Sequence, residues 1–245
     1  MSVNSTPHTI QVGPPSRPSR RREPHRLPSW GLKTAMAVSG ALWAFFVAVH
    51  LFGNLKIFAG AEAFNGYSAW LRVAFYPLLP EESVLWALRV ALIVGLVVHV
   101  GCAALLWARA RRARGPHRAR IRGARSVGAW LMPVTGIGVL VFLVIHVLDL
   151  TLGTQPIAAS TYVHADAYAN LVASFQRPWS ATFYVAIMVL LSVHLAKGFT
   201  TMAADLGVMG RRWRAALVAV GGLLALAVLL GNGAIPILVQ LGVIA

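Results

Sequence analysis

The chain has 245 residues, 58% of them hydrophobic, and a mean hydropathy of +0.68, far above an ordinary water-soluble domain. Its net charge of +15 would suit a nucleic-acid binder, but the basic residues cluster in short blocks between long apolar runs, which excludes that class and points to a polytopic membrane protein. A single cysteine, Cys102, excludes an internal disulfide and any thiolate-built zinc or iron–sulfur site from this chain alone; it reads as a small buried hydrophobe.

Residues 1–29, with "SRPSRRREPHR" at their centre, lack an apolar core followed by a cleavage site. They predict a disordered, basic, cytoplasmic tail rather than a secretory signal, and His8 and His25 within it take no role. Residues 30–245 form the membrane domain. Five spans are expected at about 31–58, 84–110, 127–152, 178–206 and 213–243, each long enough to cross ~30 Å of hydrocarbon at ~1.5 Å per residue. The connection 59–83 holds "YPLLPEE", whose prolines and acids stop one helix and start the next. The connection 153–177 is polar and holds "STYVHADAY". Beyond Arg214 the fifth span, "ALVAVGGLLALAVLLGNGAIPILVQLGVIA", has Gly and Pro but no ionisable side chain, as a packing helix would.

The basic residues set the direction. The tail through Lys33 carries six, and "ARARRARGPHRARIRGAR" carries eight arginines and a solvated His117. Arg211, Arg212 and Arg214 follow the fourth span, with Lys197 nearby. The opposite side has only Lys56, Arg72, Arg89 and Arg177. The N-terminus is therefore expected in the cytoplasm and the C-terminus outside. The basic inner face suits anionic lipid or an acidic partner.

Each of the first four spans carries one histidine well inside it: His50, His99, His146 and His194, at spacings of 49, 47 and 48. A single such histidine is most simply a hydrogen-bonded core residue; four at regular spacing read as functional. The chain also aligns with itself. "MAVSGALWAFFVAVHL" from Met36 and "MPVTGIGVLVFLVIHV" from Met132 share M-x-V-[ST]-G, nine residues, then His. "VALIVGLVVHV" from Val90 matches "VAIMVLLSVHL" from Val185. Residues 31–110 and 127–205 thus read as a duplicated helix pair, offset by 95 or 96 residues, and both copies enter from the cytoplasm. Spans one and three then place His50 and His146 toward the external side, and spans two and four place His99 and His194 toward the cytoplasmic side.

Two imidazole pairs facing across a four-helix core are what bis-histidine haem ligation requires. Gly40 and Gly136, ten residues before their histidines, and Gly95, one turn before His99, would let a flat porphyrin approach the helix backbone. A closed zinc site does not fit, since no third or fourth ligand lies at helical spacing. A bc-type cytochrome b carries two histidines on each of two helices, unlike the one on each of four here. The expected fold is an all-α integral membrane protein, its first four helices a haem-binding core.

The chain resembles the cytochrome b558 membrane subunit of succinate dehydrogenase and fumarate reductase (respiratory complex II), in its five-helix dihaem form. The resemblance covers about 31–243 and rests on "MAVSG", "HLFGNLKIF", "FNGYSAWLR", the four histidines and "HLAKGF". It implies two b haems, the distal one held by His50 and His146 and the proximal one by His99 and His194. It also implies partners on the cytoplasmic face of a bacterial plasma membrane. A flavoprotein oxidises succinate, an iron–sulfur subunit passes the electrons on, and this anchor delivers them to a membrane quinone, often menaquinone. The chain has no flavin domain and no cluster cysteines, so it is not the dehydrogenase by itself. It departs from many relatives in carrying Lys197-Gly198 where they have His-Gly; Lys197 would pair with a haem propionate or snorkel to the interface.

Quinone chemistry needs protons as well as electrons. Asp149, one turn after His146, would relay protons or position a quinone, or else face external water at the helix end. Asn54, one turn after His50, would hydrogen-bond a quinone or cap the bundle. Glu62, Asn65, Tyr67 and Trp70 are further candidates in the external connection, where an aromatic belt explains Tyr67 and Trp70 equally well. His164 reads as a surface residue. The alternative function is a haem-free anchor that docks the soluble subunits and binds quinone. A transporter with a histidine proton relay would predict broken helices and paired acids, and the sequence suggests neither.

Overall fold

The computed structural model describes residues 27–114 and 124–245. The predicted tail through residue 26, with His8 and His25, and His117 of the arginine loop lie outside the described residues. The described residues form helices and their connections, without strands, as backbone crossing lipid must satisfy its own N–H and C=O groups. The first span is α1, Ser29–Asn54, which tightens into a 3₁₀ turn at Leu55–Ala59 and stops at Gly60. There φ is 92°, a conformation that favours glycine. The second span is α3, Ser83–Arg114. The third is α4, Ala124–His146, continued by a π turn at Val147–Thr151. The fourth is α6, Pro178–Asp205, whose Pro178 stands in the first turn, where the missing N–H costs nothing. The fifth is α7, Arg211–Ala227, joined to α8, Gly233–Gln240, through a second π turn at Val228–Asn232. All five are long and apolar enough to cross a membrane.

Two helices lie inside stretches that read as connections. α2 spans Ala61–Arg72, ahead of the prolines, and α5 spans Ala167–Phe175. The reason for α2 is local: Phe64, Tyr67, Ser68 and Leu71 sit at i, i+3, i+4 and i+7, a half-apolar face masked by polar neighbours. α5 starts where the Asp166 carboxylate accepts the Ala169 amide at 3.0 Å. The two dock on one another through Asn65, whose amide donates to Asp166 (3.0 Å) and accepts the Tyr168 N–H (2.9 Å). They close one end of the bundle, called the capped end below; the other, carrying Lys33, Arg109 and Arg211, is the basic end.

The Ala169 amide first, then Asn65, holds the Asp166 carboxyl below its ordinary value, against a smaller opposing effect of burial. A depressed acid stabilises the fold above its unfolded value and loses that contribution as pH falls through its folded value. Acidification through that range is therefore expected to fray α5 before the spans. Faster hydrogen exchange at Ala169 and Asn170 would report it, and Asp166→Asn should flatten the pH dependence.

α1 packs along α3, α4 along α6, and α6 also meets α1, α7 and α8. α6 is the most buried span, whereas α3 and α4 turn most of their apolar surface outward, as lipid-facing helices do. The fifth span packs through small residues, as its composition suggested. Phe199 fills the space where a Gly221 side chain would stand, and Gly231 lies against Leu51 and Leu55. Ser192 adds a hydrogen bond to the Ala225 carbonyl at 2.8 Å. Cys102 is buried and unpaired.

Candidate functional site

The four histidines meet as two pairs. The His50 and His146 rings lie 5.8 Å apart at 83°, and the His99 and His194 rings 6.4 Å apart at 69°. Each pair joins two helices that are not close neighbours: α1 with α4, and α3 with α6. The tight helix packing runs instead within each copy, α1 on α3 and α4 on α6. The imidazoles therefore span a gap in the bundle. The pairs stand at two levels. His99 lies beside Gly40, and His50 is ten residues further along α1, or ~15 Å at the α-helical rise.

The duplication extends to the groups that hold the rings. The Ser39 hydroxyl donates to the Ala35 carbonyl (2.7 Å), and its oxygen lies 3.4 Å from His99 Nδ1. Thr135, its counterpart, donates to Leu131 O (2.7 Å), and its oxygen lies 3.1 Å from His194 Nδ1. His99 Nδ1 is also 3.0 Å from the Met36 carbonyl. A carbonyl only accepts, so His99 carries its proton on Nδ1. The same holds for His194, since Thr135 has spent its proton on Leu131. Both rings then present a bare Nε2, the form a metal binds. At the other level Phe46 stacks on His50 (5.2 Å, 18°) and Phe142 packs tilted against His146 (5.3 Å, 32°), each one turn before its histidine.

The expected role of the glycines changes in detail. A Cβ on Gly40 would stand 3.1 Å from His99 Cε1, and one on Gly136 3.4 Å from His194 Cε1. These glycines make room for the imidazole of the next helix. Gly95 instead makes room for Leu42 and Trp43.

The residues fit a haem. Among the described residues no third His, Cys, Asp or Glu joins either pair to make a metal cluster, so each pair suits an iron that arrives with its equatorial ligands. Between the levels, the Trp43 indole N–H is buried without an acceptor among the described residues. It faces Gly95 and packs edge-on to Phe46, which stacks on His50.

Asp149 does not face external water: it is 1% exposed, inside the π turn after His146. Ser174 donates to its Oδ2 at 2.5 Å, Tyr184 to the same oxygen at 3.2 Å, and Arg177 Nη2 to Oδ1 at 2.7 Å. Arg177 Nη1 also donates to the Ile157 carbonyl (2.6 Å). The Tyr184 hydroxyl oxygen is 3.5 Å from His146 Nδ1. Asn54 donates to Asn232 at 3.2 Å, tying α1 to the π turn of the fifth span. Tyr67 lies over Gly53, where a Cβ would come within 2.6 Å of its ring, and stacks on Trp70 at 5.9 Å. The Lys56 ammonium sits 5.2 and 5.3 Å from the Phe52 and Tyr67 ring centroids. Glu62, Trp70 and His164 are exposed around this end, and Lys197 is exposed on α6. The structure thus groups Asp149 and Tyr67 near the His50–His146 level and leaves Lys197 away from the imidazoles' hydrogen-bond partners.

Sequence reasoning gave no role to Ser39, Thr135, Phe46, Phe142, Ser174 or Tyr184. The first four carried a usable signal, because they recur at the same 96-residue offset as His50 and His146. Ser174 and Tyr184 carried none.

A family model described as succinate dehydrogenase/fumarate reductase transmembrane subunit matches residues 108–231, just over half of the chain. No curated protein and no solved structure matches. The matched range contains His146 and His194, whereas His50 and His99 lie before it.

Proposed function

We propose, from the premise that this chain belongs to the succinate dehydrogenase/fumarate reductase transmembrane subunit family, that it is the electron-transferring anchor of its complex and holds two b haems. Family membership makes it the membrane subunit of a complex with soluble dehydrogenase subunits. The observation that carries the haem reading is the pair of facing imidazole couples, 5.8 and 6.4 Å apart, each spanning a gap between non-adjacent helices. His99 and His194 would hold the haem at the basic end, His50 and His146 the one at the capped end. When bound, the haems supply one-electron steps between the two sides of the membrane.

The chain's own residues do the rest. Met36, Ser39 and Thr135 fix the tautomers at the basic end. Trp43 would offer its buried N–H to an acceptor of a bound macrocycle, and Lys197 would serve as a propionate partner at the membrane interface. In this reading the basic end faces the cytoplasm of a bacterium, where Lys33, Arg109 and Arg211 meet the iron–sulfur and flavoprotein subunits. The membrane quinone, menaquinone here, reaches the capped end. There Tyr67 and Trp70 present stacked rings, Asn54 an amide and Glu62 an exposed carboxylate for proton exchange, while Asp149 lies one turn beyond His146 as a buried anion.

The test is a dithionite-reduced minus oxidised spectrum of the purified protein with haem extracted and counted. The expected result is a b-type α-band and two haems per chain. A flat difference spectrum would leave the haem-free anchor as the reading.

A further inference from the structure

We infer that Tyr184, backed by Asp149 and Arg177, is a positioning residue for His146, and that this relay makes the capped-end haem site electronically different from the basic-end site. The inference rests on the haem reading above.

Hydrogen-bond polarity gives the relay its direction. Asp149 is fully buried and clasped by Arg177 and Ser174, and a carboxylate only accepts. The single proton of Tyr184 therefore goes to Asp149 Oδ2 (3.2 Å), which leaves the phenol oxygen as acceptor for His146 Nδ1–H (3.5 Å). The chain runs from imidazole to phenol to an anion. The other two rings with bonded Nδ1 atoms end differently. His99 ends on the Met36 carbonyl, and His194 on Thr135, which ends on the Leu131 carbonyl. Those endpoints are neutral peptide groups.

The duplicated copies show where the relay was built. At the repeat offsets, Asp149 corresponds to Gly53, Tyr184 to Arg89 and Arg177 to Glu82. In the first copy Gly53 is covered by Tyr67, and Arg89 stands 3.8 Å from Glu82 in a half-exposed ion pair. Among the described residues, His146 and not its pseudo-equivalent His50 thus has a carboxylate-terminated partner chain. The π turn Val147–Thr151 carries Asp149 in this arrangement, and such turns are frequent at functional sites.

A ring N–H bonded toward an anion makes the other ring nitrogen a stronger donor to a metal, which favours the oxidised iron. The test uses the intact haem-loaded protein in detergent and a redox titration that follows each centre's α-band, the centres assigned from histidine variants. Tyr184→Phe removes one hydroxyl only. The expected result is two haems retained, an upward shift of the capped-end midpoint potential, and no shift of the other. The g-value spread of that same centre in electron paramagnetic resonance should change as well. Asp149→Asn should act in the same direction, and the double variant should add little to the larger single effect, because both act through one chain. Thr135→Ala should move the basic-end centre instead. Unchanged potentials in Tyr184→Phe, or an equal shift of both centres, with both bands intact, would overturn the relay. Absence of haem from the unaltered protein would overturn the parent reading instead.

Discussion

Replacing Arg177 by leucine is expected to destabilise the protein by about 3–5 kcal/mol, the usual cost of breaking a buried ion pair from one side. The size follows from which partner is left behind. Asp149 is 1% exposed and receives Arg177 Nη2 at 2.7 Å. Without the guanidinium, Ser174 and Tyr184 alone would face a carboxylate that water cannot reach. The reverse change, Asp149→Asn, should cost less: the Arg177 side chain is 22% exposed and still donates to the Ile157 and Ser174 carbonyls. Removing both charges, as Asp149→Leu with Arg177→Leu, should recover part of the loss, since neither ion is then stranded. Thermal or denaturant unfolding in detergent would rank the three. Arg177→Leu no worse than Asp149→Asn would contradict the buried-pair account.

Replacing His146 by leucine should remove one haem and leave the other, lowering the b-type α-band by about half if two bis-histidine centres contribute equally. His50→Leu should remove the same centre, and His99→Leu or His194→Leu the other. The grouping follows from ring distances: 5.8 Å joins His50 to His146 and 6.4 Å joins His99 to His194. Leucine keeps the volume in the bundle, so the surviving pair keeps its helices in register. The measurement is pyridine haemochrome content beside the difference spectrum. A variant that loses both centres, or a His50 variant that spares the centre lost with His146, would break the pairing.

The five spans were legible because lipid leaves few solutions for a long apolar run. The two histidine levels were legible because α1 and α4 repeat the same spacing between Ser39 or Thr135 and the following histidine. His194 shows the limit of counting: it lies 17 residues from both Arg177 and Arg211, so its depth came from the repeat, and its ring contact with His99 agrees. The helices α2 and α5 were missed because short amphipathic segments beside prolines and turn residues resemble connections until a partner covers them. Asn65 illustrates this, since its two bonds to Asp166 and Tyr168 cross about a hundred residues of chain.

By itself the sequence determined the class, the number of spans, the duplicated core and the four histidines, because hydropathy, helical rise and an internal repeat are one-dimensional quantities. Only the tertiary structure decided what stands beside each ring. Gly40 clears space for His99 rather than for anything on its own helix, and Asp149 is a buried anion gripped by Ser174, Arg177 and Tyr184 rather than a carboxylate in water. Those contacts depend on the rotation of each helix about its axis and on the π turn at Val147–Thr151. Both are settled by side-chain packing across the bundle, which local sequence does not encode.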